Sequence, residues 1–217
     1  MSATRLLVLG VVRMHGRAHG YLVGCELVSW GAEEWANVKW GSIYHALKQA
    51  ASEGLLRAIK VEKWPGRTDY ELTTRGEAEF LRLLRDALRL PYHHPDTIGA
   101  GLVLLPALSR NEAIALLRER LGVLEAERDD VAMLLEPGAG GRPAHARELF
   151  GLWDSLISSG AAWTRGLIER LEGGAYVMAG EGDHSVGSPD AESAPTPPGK
   201  KRKSPIELNL RVQFNLD

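Results

Sequence analysis

In the stretch WGSIYHALKQAASEGLL, residues 40–56, the polar side chains Ser42, His45, Lys48, Gln49 and Ser52 recur every three or four positions. That spacing gathers them on one face of a helix, opposite Ile43, Leu47, Ala50 and Ala51, with Gly54 as its stop. These are short or flexible hydrogen-bonding groups, which suit recognition better than bond-making. A glutamine can pair with the edge of adenine, and a lysine can reach guanine or a phosphate. An ordinary solvated face has the same composition, so the surrounding elements must decide between the two.

Bond-making chemistry finds no support elsewhere. No nucleophile–base pairing, phosphate loop or carboxylate pair stands in a suitable context. His93 and His94 with Asp96, and His145 with Glu148, fall short of the three or four ligands that zinc needs. Neither an enzyme, a metal nor a cofactor is expected. The single cysteine, Cys25, excludes an internal disulfide framework, fits a reducing compartment, and reads as an inert core residue.

The elements around the polar face begin with residues 3–14, almost uninterrupted in apolar character and therefore read as a buried helix. The apolar run at 6–12 is far short of the roughly 20 residues of a membrane span, and no small-residue cleavage pattern follows it. HGRAHG at 15–20 reads as a turn, with Gly16 as a helix C-cap. Residues 20–30 form a second helix, and the polar face belongs to the third. Ile59 and Val61, then Tyr70 and Leu72, alternate on either side of PGRT at 65–68, which reads as a hairpin. Thr73 or Thr74 N-caps the next helix, with Glu77 closing a capping box. Three helices, a hairpin and a helix make the winged helix-turn-helix plan. In that plan the third helix enters the major groove, and the basic residues Lys63 and Arg67 at the hairpin tip lie along the backbone. Tyr44 at the edge of the face, and Lys39 just before it, add further phosphate candidates.

The sequence resembles the PadR family of bacterial transcriptional regulators. LLVLGVVRMHGRAHGYLV, GSIYHALKQAASEGLL and GRTDYELTTRGEAEF carry the resemblance through the winged helix, and LLPALSRNEAIALLRERLGVLEAE and WTRGLIERLEGG through two C-terminal helices. It covers most of residues 5–174. His45 stands where the family often has proline, and Ala50 where it usually has leucine. The resemblance implies a cytoplasmic, nucleoid-associated regulator of transcription, more often a repressor, bound as a homodimer to a near-palindromic double-stranded operator. Some relatives hold flat aromatic compounds in a dimer cavity lined by tryptophan, which would make Trp153 and Trp163 an effector pocket; the plainer reading of both is core or dimer interface.

The expected organisation is therefore mainly α with a small β-hairpin wing. Residues 1–90 form the DNA-binding domain, 91–174 a helical dimerisation and effector region, and 175–217 a disordered tail. In the second region Ile114, Leu117, Leu121, Leu124, Val131 and Leu135 make a near-heptad seam after a capping box at Ser109 and Glu112. EPGAGGRP at 136–143 ends that helix. A last helix carries Leu149, Trp153, Leu156, Trp163, Leu167 and Leu171 on one stripe. Leu117, Leu121, Leu124, Trp153, Leu156, Trp163 and Leu167 are the expected interface or pocket residues. The tail holds a basic cluster, KKRK at 200–203, and a strictly alternating strand-like end from Ile206 to Leu216.

Charge divides unevenly. Residues 1–90 carry 13 Lys+Arg against 10 Asp+Glu, residues 91–199 carry 8 against 16, and residues 200–217 carry 5 against 2. Only the two ends would approach a polyanion readily. The rival to the regulator is a winged-helix module that docks partner proteins without specific DNA binding.

Overall fold

The computed structural model describes residues 2–64, 66–91, 95–135 and 145–182. Helix α1, Ala3–His15, buries every residue from Leu6 to Val12. It is the central post of the N-terminal half, touching α2 (Gly20–Ser29), α4 (Trp40–Ser52), α5 (Thr74–Arg89) and α6 (Pro95–Val103). Gly16, at φ 64°, ends α1 and donates its N–H back to the Arg13 carbonyl.

Two short elements depart from the sequence reading. Residues 15–20, expected as a plain turn, contain strand β1 (Arg17–His19), which pairs antiparallel with β3 (Thr68–Leu72) in the register Ala18 to Tyr70. The wing is thus a three-stranded sheet in the order β1-β3-β2, with β2 at Leu56–Lys60, and not a hairpin alone. Ala18 and Tyr70, both buried, fasten it to the core. A one-turn helix, α3 (Ala32–Trp35), lies between α2 and α4, and its Trp35 indole donates to the Trp30 carbonyl at 2.9 Å.

Helix α5 starts at Thr73, whose hydroxyl accepts from the Gly76 N–H at 3.0 Å. The capping box expected from Glu77 does not form. Glu77 instead meets Arg13 of α1 at 2.8 Å, because α1 passes close beside the start of α5. Ser109 does meet the Glu112 N–H, at 3.4 Å.

Helices α7 (Arg110–Leu135) and α8 (Ala146–Glu172) pack against each other along their length. Arg118 meets Glu172 at 2.6 Å and Arg165 meets Glu125 at 3.0 Å, which sets them antiparallel. Leu117, Leu124, Leu167 and Leu171 are buried in this chain. Beyond α8 the chain is ordered where disorder was expected. Arg110 donates to the carbonyls of Leu171, Ala175 and Tyr176 and pairs with Glu181, and Met178 is fully buried. One guanidinium thus bonds a carbonyl of the last turn of α8 and two carbonyls beyond it, which holds residues 175–182 in place. Pro65 of the wing tip, His93, His94, the turn at 136–143, KKRK and the alternating end lie outside the described residues. Among the described residues no helix is long and apolar enough to cross a membrane, and no three His, Cys, Asp or Glu side chains cluster.

Candidate nucleic-acid interface

Helix α4 turns Ile43, Leu47 and Ala50 into the core and leaves Tyr44, His45, Lys48, Gln49 and Ser52 exposed. The structure brings the expected face together but gives its members different tasks. Ser42 caps its own helix: its hydroxyl accepts from the Lys39 N–H at 3.1 Å and donates to the Lys39 carbonyl at 2.7 Å. Ser52 donates to the Gln49 carbonyl at 2.8 Å. The Gln49 amide donates to Glu53 at 3.0 Å, and Glu53 is gripped by Arg5 of α1. That guanidinium holds the Glu53 carboxyl below the usual range. Lys39 lies 3.4 Å from Glu33, an exposed pair worth little. His45 and Lys48 have no side-chain hydrogen bond or ion pair among the described residues, so both are free to meet a ligand.

An aromatic shelf extends the face toward α2. A Cβ on Gly20 would fall 2.3 Å from the Tyr44 ring, and one on Gly24 would fall 2.0 Å from the Trp40 ring. The two rings therefore rest on bare backbone. Trp40 also stacks on Tyr21, with centroids 5.8 Å apart and planes at 24°. Tyr21, Trp40 and Tyr44 all remain substantially exposed. The sequence reading missed Tyr21 and Trp40, although Gly20 and Gly24, one helical turn apart, were the visible sign of a close helix crossing.

The wing supplies fewer free cations than expected. Arg67 is held by Asp69 at 2.8 and 3.3 Å, and Asp69 is almost wholly buried, so this guanidinium belongs first to the wing. Arg17 and Arg57 share Glu71. Lys63 and Trp64 stand exposed at the tip.

His19 joins wing and helix. Its Nδ1 accepts the Leu22 N–H at 3.0 Å and so N-caps α2, while β1 sets it opposite Asp69. Burial lowers its pKa first, then the Arg67 charge, against an opposing pull from Asp69. The folded value lies below the reference 6.5, so the unfolded chain takes up the proton more readily. The neutral imidazole's contribution is complete above that reference and is lost as pH falls from it through the lower folded value. His19→Asn keeps a cap without titrating. Wild type should therefore lose more melting temperature than His19→Asn between pH 7.5 and pH 5.5, a window set about the reference imidazole value. Equal losses would show that His19 does not titrate with unfolding.

The expected interface residues separate into two sets. Leu117, Leu124 and Leu167 are buried within the chain and Leu121 is half-buried, because α7 and α8 cover each other. Trp153 (43% exposed), Leu156 (62%) and Trp163 (40%) face outward, joined by Leu149 and Leu152.

No protein-family model and no curated protein matches the chain. Among solved structures it is similar to Bacillus subtilis PadR in complex with operator DNA, at 20% identity and a TM-score of 0.34, covering 77% of this chain and 98% of that one. It is similar also to Bacillus subtilis PadR in complex with p-coumaric acid, at 20% identity and a TM-score of 0.34, covering 78% and 99%. A PadR-like transcriptional regulator from Bacillus cereus matches at 18% identity and a TM-score of 0.33, covering 79% and 99%.

Proposed function

We propose that this chain is a sequence-specific DNA-binding regulator of transcription of the PadR type, acting as a homodimeric repressor. The observation that carries the reading is the outer face of α4. His45 and Lys48 are exposed there and have no side-chain partner among the described residues, on a helix whose opposite face is locked into the core. A helix so held fits the major groove, with Lys48 reaching guanine or phosphate and His45 and Gln49 beside it. Tyr44 and the wing-tip Lys63 serve the backbone. Two copies joined through the open face of α8 would read the two halves of a near-palindrome from the bacterial nucleoid. A small aromatic effector bound against Trp153 and Trp163 would release the DNA if it favoured a different spacing of the two heads.

The test is selection of duplexes from a random library by the full-length protein at moderate salt, followed by titration of the enriched sequence. Lys48→Ala should weaken binding roughly tenfold, the scale of one lost base or phosphate contact. Absence of any enriched sequence would sink the reading. It would turn attention to the exposed shelf of Tyr21, Trp40 and Tyr44, the feature that favours a protein-docking module.

A further inference from the structure

Tyr21, Trp40 and Tyr44 form one aromatic surface that no other described residue covers. Trp40 stacks on Tyr21, and Trp40 and Tyr44, one turn apart on α4, lie flat on the backbone of Gly24 and Gly20. The three are 53%, 40% and 44% exposed, and Val28, two turns after Tyr21 on α2, is exposed beside them. The Trp40 indole N–H and the Tyr44 hydroxyl have no hydrogen bond among the described residues. Large rings left half in water, with open donors at their rims, mark a docking surface. One end of it is acidic. Helix α3 carries Glu33 and Glu34, both exposed; Glu33 lies 3.4 Å from Lys39, the residue before Trp40, and Glu34 has no ion pair among the described residues.

An occupant that fits has apolar rings, unpaired carbonyls and a cationic flank. The sequence contains one: Pro195, Pro197 and Pro198, followed by KKRK at 200–203. Proline-rich runs favour the polyproline II conformation, whose carbonyls are unpaired and whose preset backbone loses little entropy on docking against aromatic side chains. Duplex DNA suits a flat aromatic surface less well, because its base faces are already stacked on one another. The segment is also within reach. Residues 183–194 join it to the last described residue, Gly182, and at full extension span roughly 40 Å, more than the ~30 Å breadth of a small domain. The chain leaves on the α3 side: Ala179 donates its N–H to the Leu108 carbonyl just past α6, and Gly99 of α6 lies against the Trp35 ring of α3. So short a tether keeps the segment at a roughly millimolar local concentration, where a weak contact suffices. We propose that the shelf of Tyr21, Trp40 and Tyr44 seats the proline-rich segment of its own chain, residues 195–198, with KKRK beside Glu33 and Glu34. The seating needs no DNA and stands apart from the regulator reading. Where that reading also holds, the seated segment covers Tyr44 and competes with the duplex.

The test follows the Trp40 indole N–H by NMR in the full-length protein, its signal being the one lost in Trp40→Phe. Wild type is compared with a full-length variant carrying Pro195→Ala, Pro197→Ala and Pro198→Ala, which leaves the helices and the sheet unaltered. The Trp40 signal should differ between the two while those of Trp153 and Trp163 coincide, and the difference should persist on dilution. A synthetic peptide of residues 191–204 should bind the variant roughly tenfold more tightly than wild type, whose own segment competes for the shelf. Coincident Trp40 signals with equal peptide affinities would overturn the proposal. A difference that fades on dilution would also overturn it, because the occupant would then come from a second copy. So would a DNA duplex that moves Trp40 alike in both proteins while the proline substitutions move nothing, since the shelf would then belong to nucleic acid.

Discussion

Gly76→Ala is expected to lower the unfolding free energy by about 3 kcal/mol, read as a fall in urea midpoint at unchanged slope. Gly76 is the third residue of α5, and a Cβ there would lie 2.0 Å from the Leu55 carbonyl oxygen and 2.7 Å from Leu72 Cδ2. The Leu55 peptide cannot step aside cheaply. Its carbonyl accepts the Thr73 N–H at 3.0 Å, and its N–H donates to the Ala50 carbonyl at 2.9 Å. Relief of the clash must therefore break the start of α5, the end of α4, or both. Helix propensity works the other way, since alanine is favoured over glycine by up to roughly 1 kcal/mol in a helix interior, and the clash must exceed that. Gly122→Ala in α7 isolates the opposing effect, because its Cβ would meet nothing within 4 Å. That variant should gain about 0.5–1 kcal/mol. A neutral or stabilising Gly76→Ala would mean that the α4–β2–α5 junction is loose, and with it the tilt of α4.

The same junction shows what was legible beforehand. The helix at 40–52 announced itself by period, because it buries one face against the core, whereas the strands did so less cleanly: Asp69 and Tyr70, on opposite faces of β3, are both buried, and Val61 falls outside β2. Strand β1 did not, because three residues are too few to show alternation. Its place depends on Ala18 finding Tyr70, more than fifty residues away. Helix α3 is a single turn between Gly31 and Asn37, both at positive φ, and reads as part of a loop.

Within the site, residue type did not reveal task. A serine on an exposed helical face reads bases or caps equally well, and only the start of α4 at Trp40 places Ser42 within reach of the Lys39 backbone. Arg67 looked free at a hairpin tip. Its neighbour two positions on, Asp69, is the carboxylate that holds it.

On the proposed dimeric regulator, Leu156→Glu is expected to give a monomer and to weaken DNA binding about 100-fold. Leu149, Leu152, Trp153, Leu156 and Trp163 follow helical spacing along one face of α8, and Leu156 is 62% exposed. A stripe of this kind read from sequence could be covered by α7 or by a second copy, and the structure divides it. Leu167 and Leu171, near the C-terminal end, lie against this chain, and the outward group before them stays open. Fully burying one such side chain is worth about 1.5–3 kcal/mol, so covering the uncovered parts of five on each of two copies supplies the main driving force to set against the cost of association. A twofold interface also meets itself, so one substitution places two carboxylates in it. The seam beneath, with Leu117, Leu124, Leu167 and Leu171, is untouched, so the variant should keep its helix content, whereas Leu167→Glu should unfold the α7–α8 pair. Sedimentation velocity over a concentration series separates the cases. A Leu156→Glu protein that remains dimeric would remove this face as the interface. A monomer that bound the enriched duplex as tightly as wild type would show that one reading head suffices, because joining two heads raises overall affinity only when both can engage the same duplex.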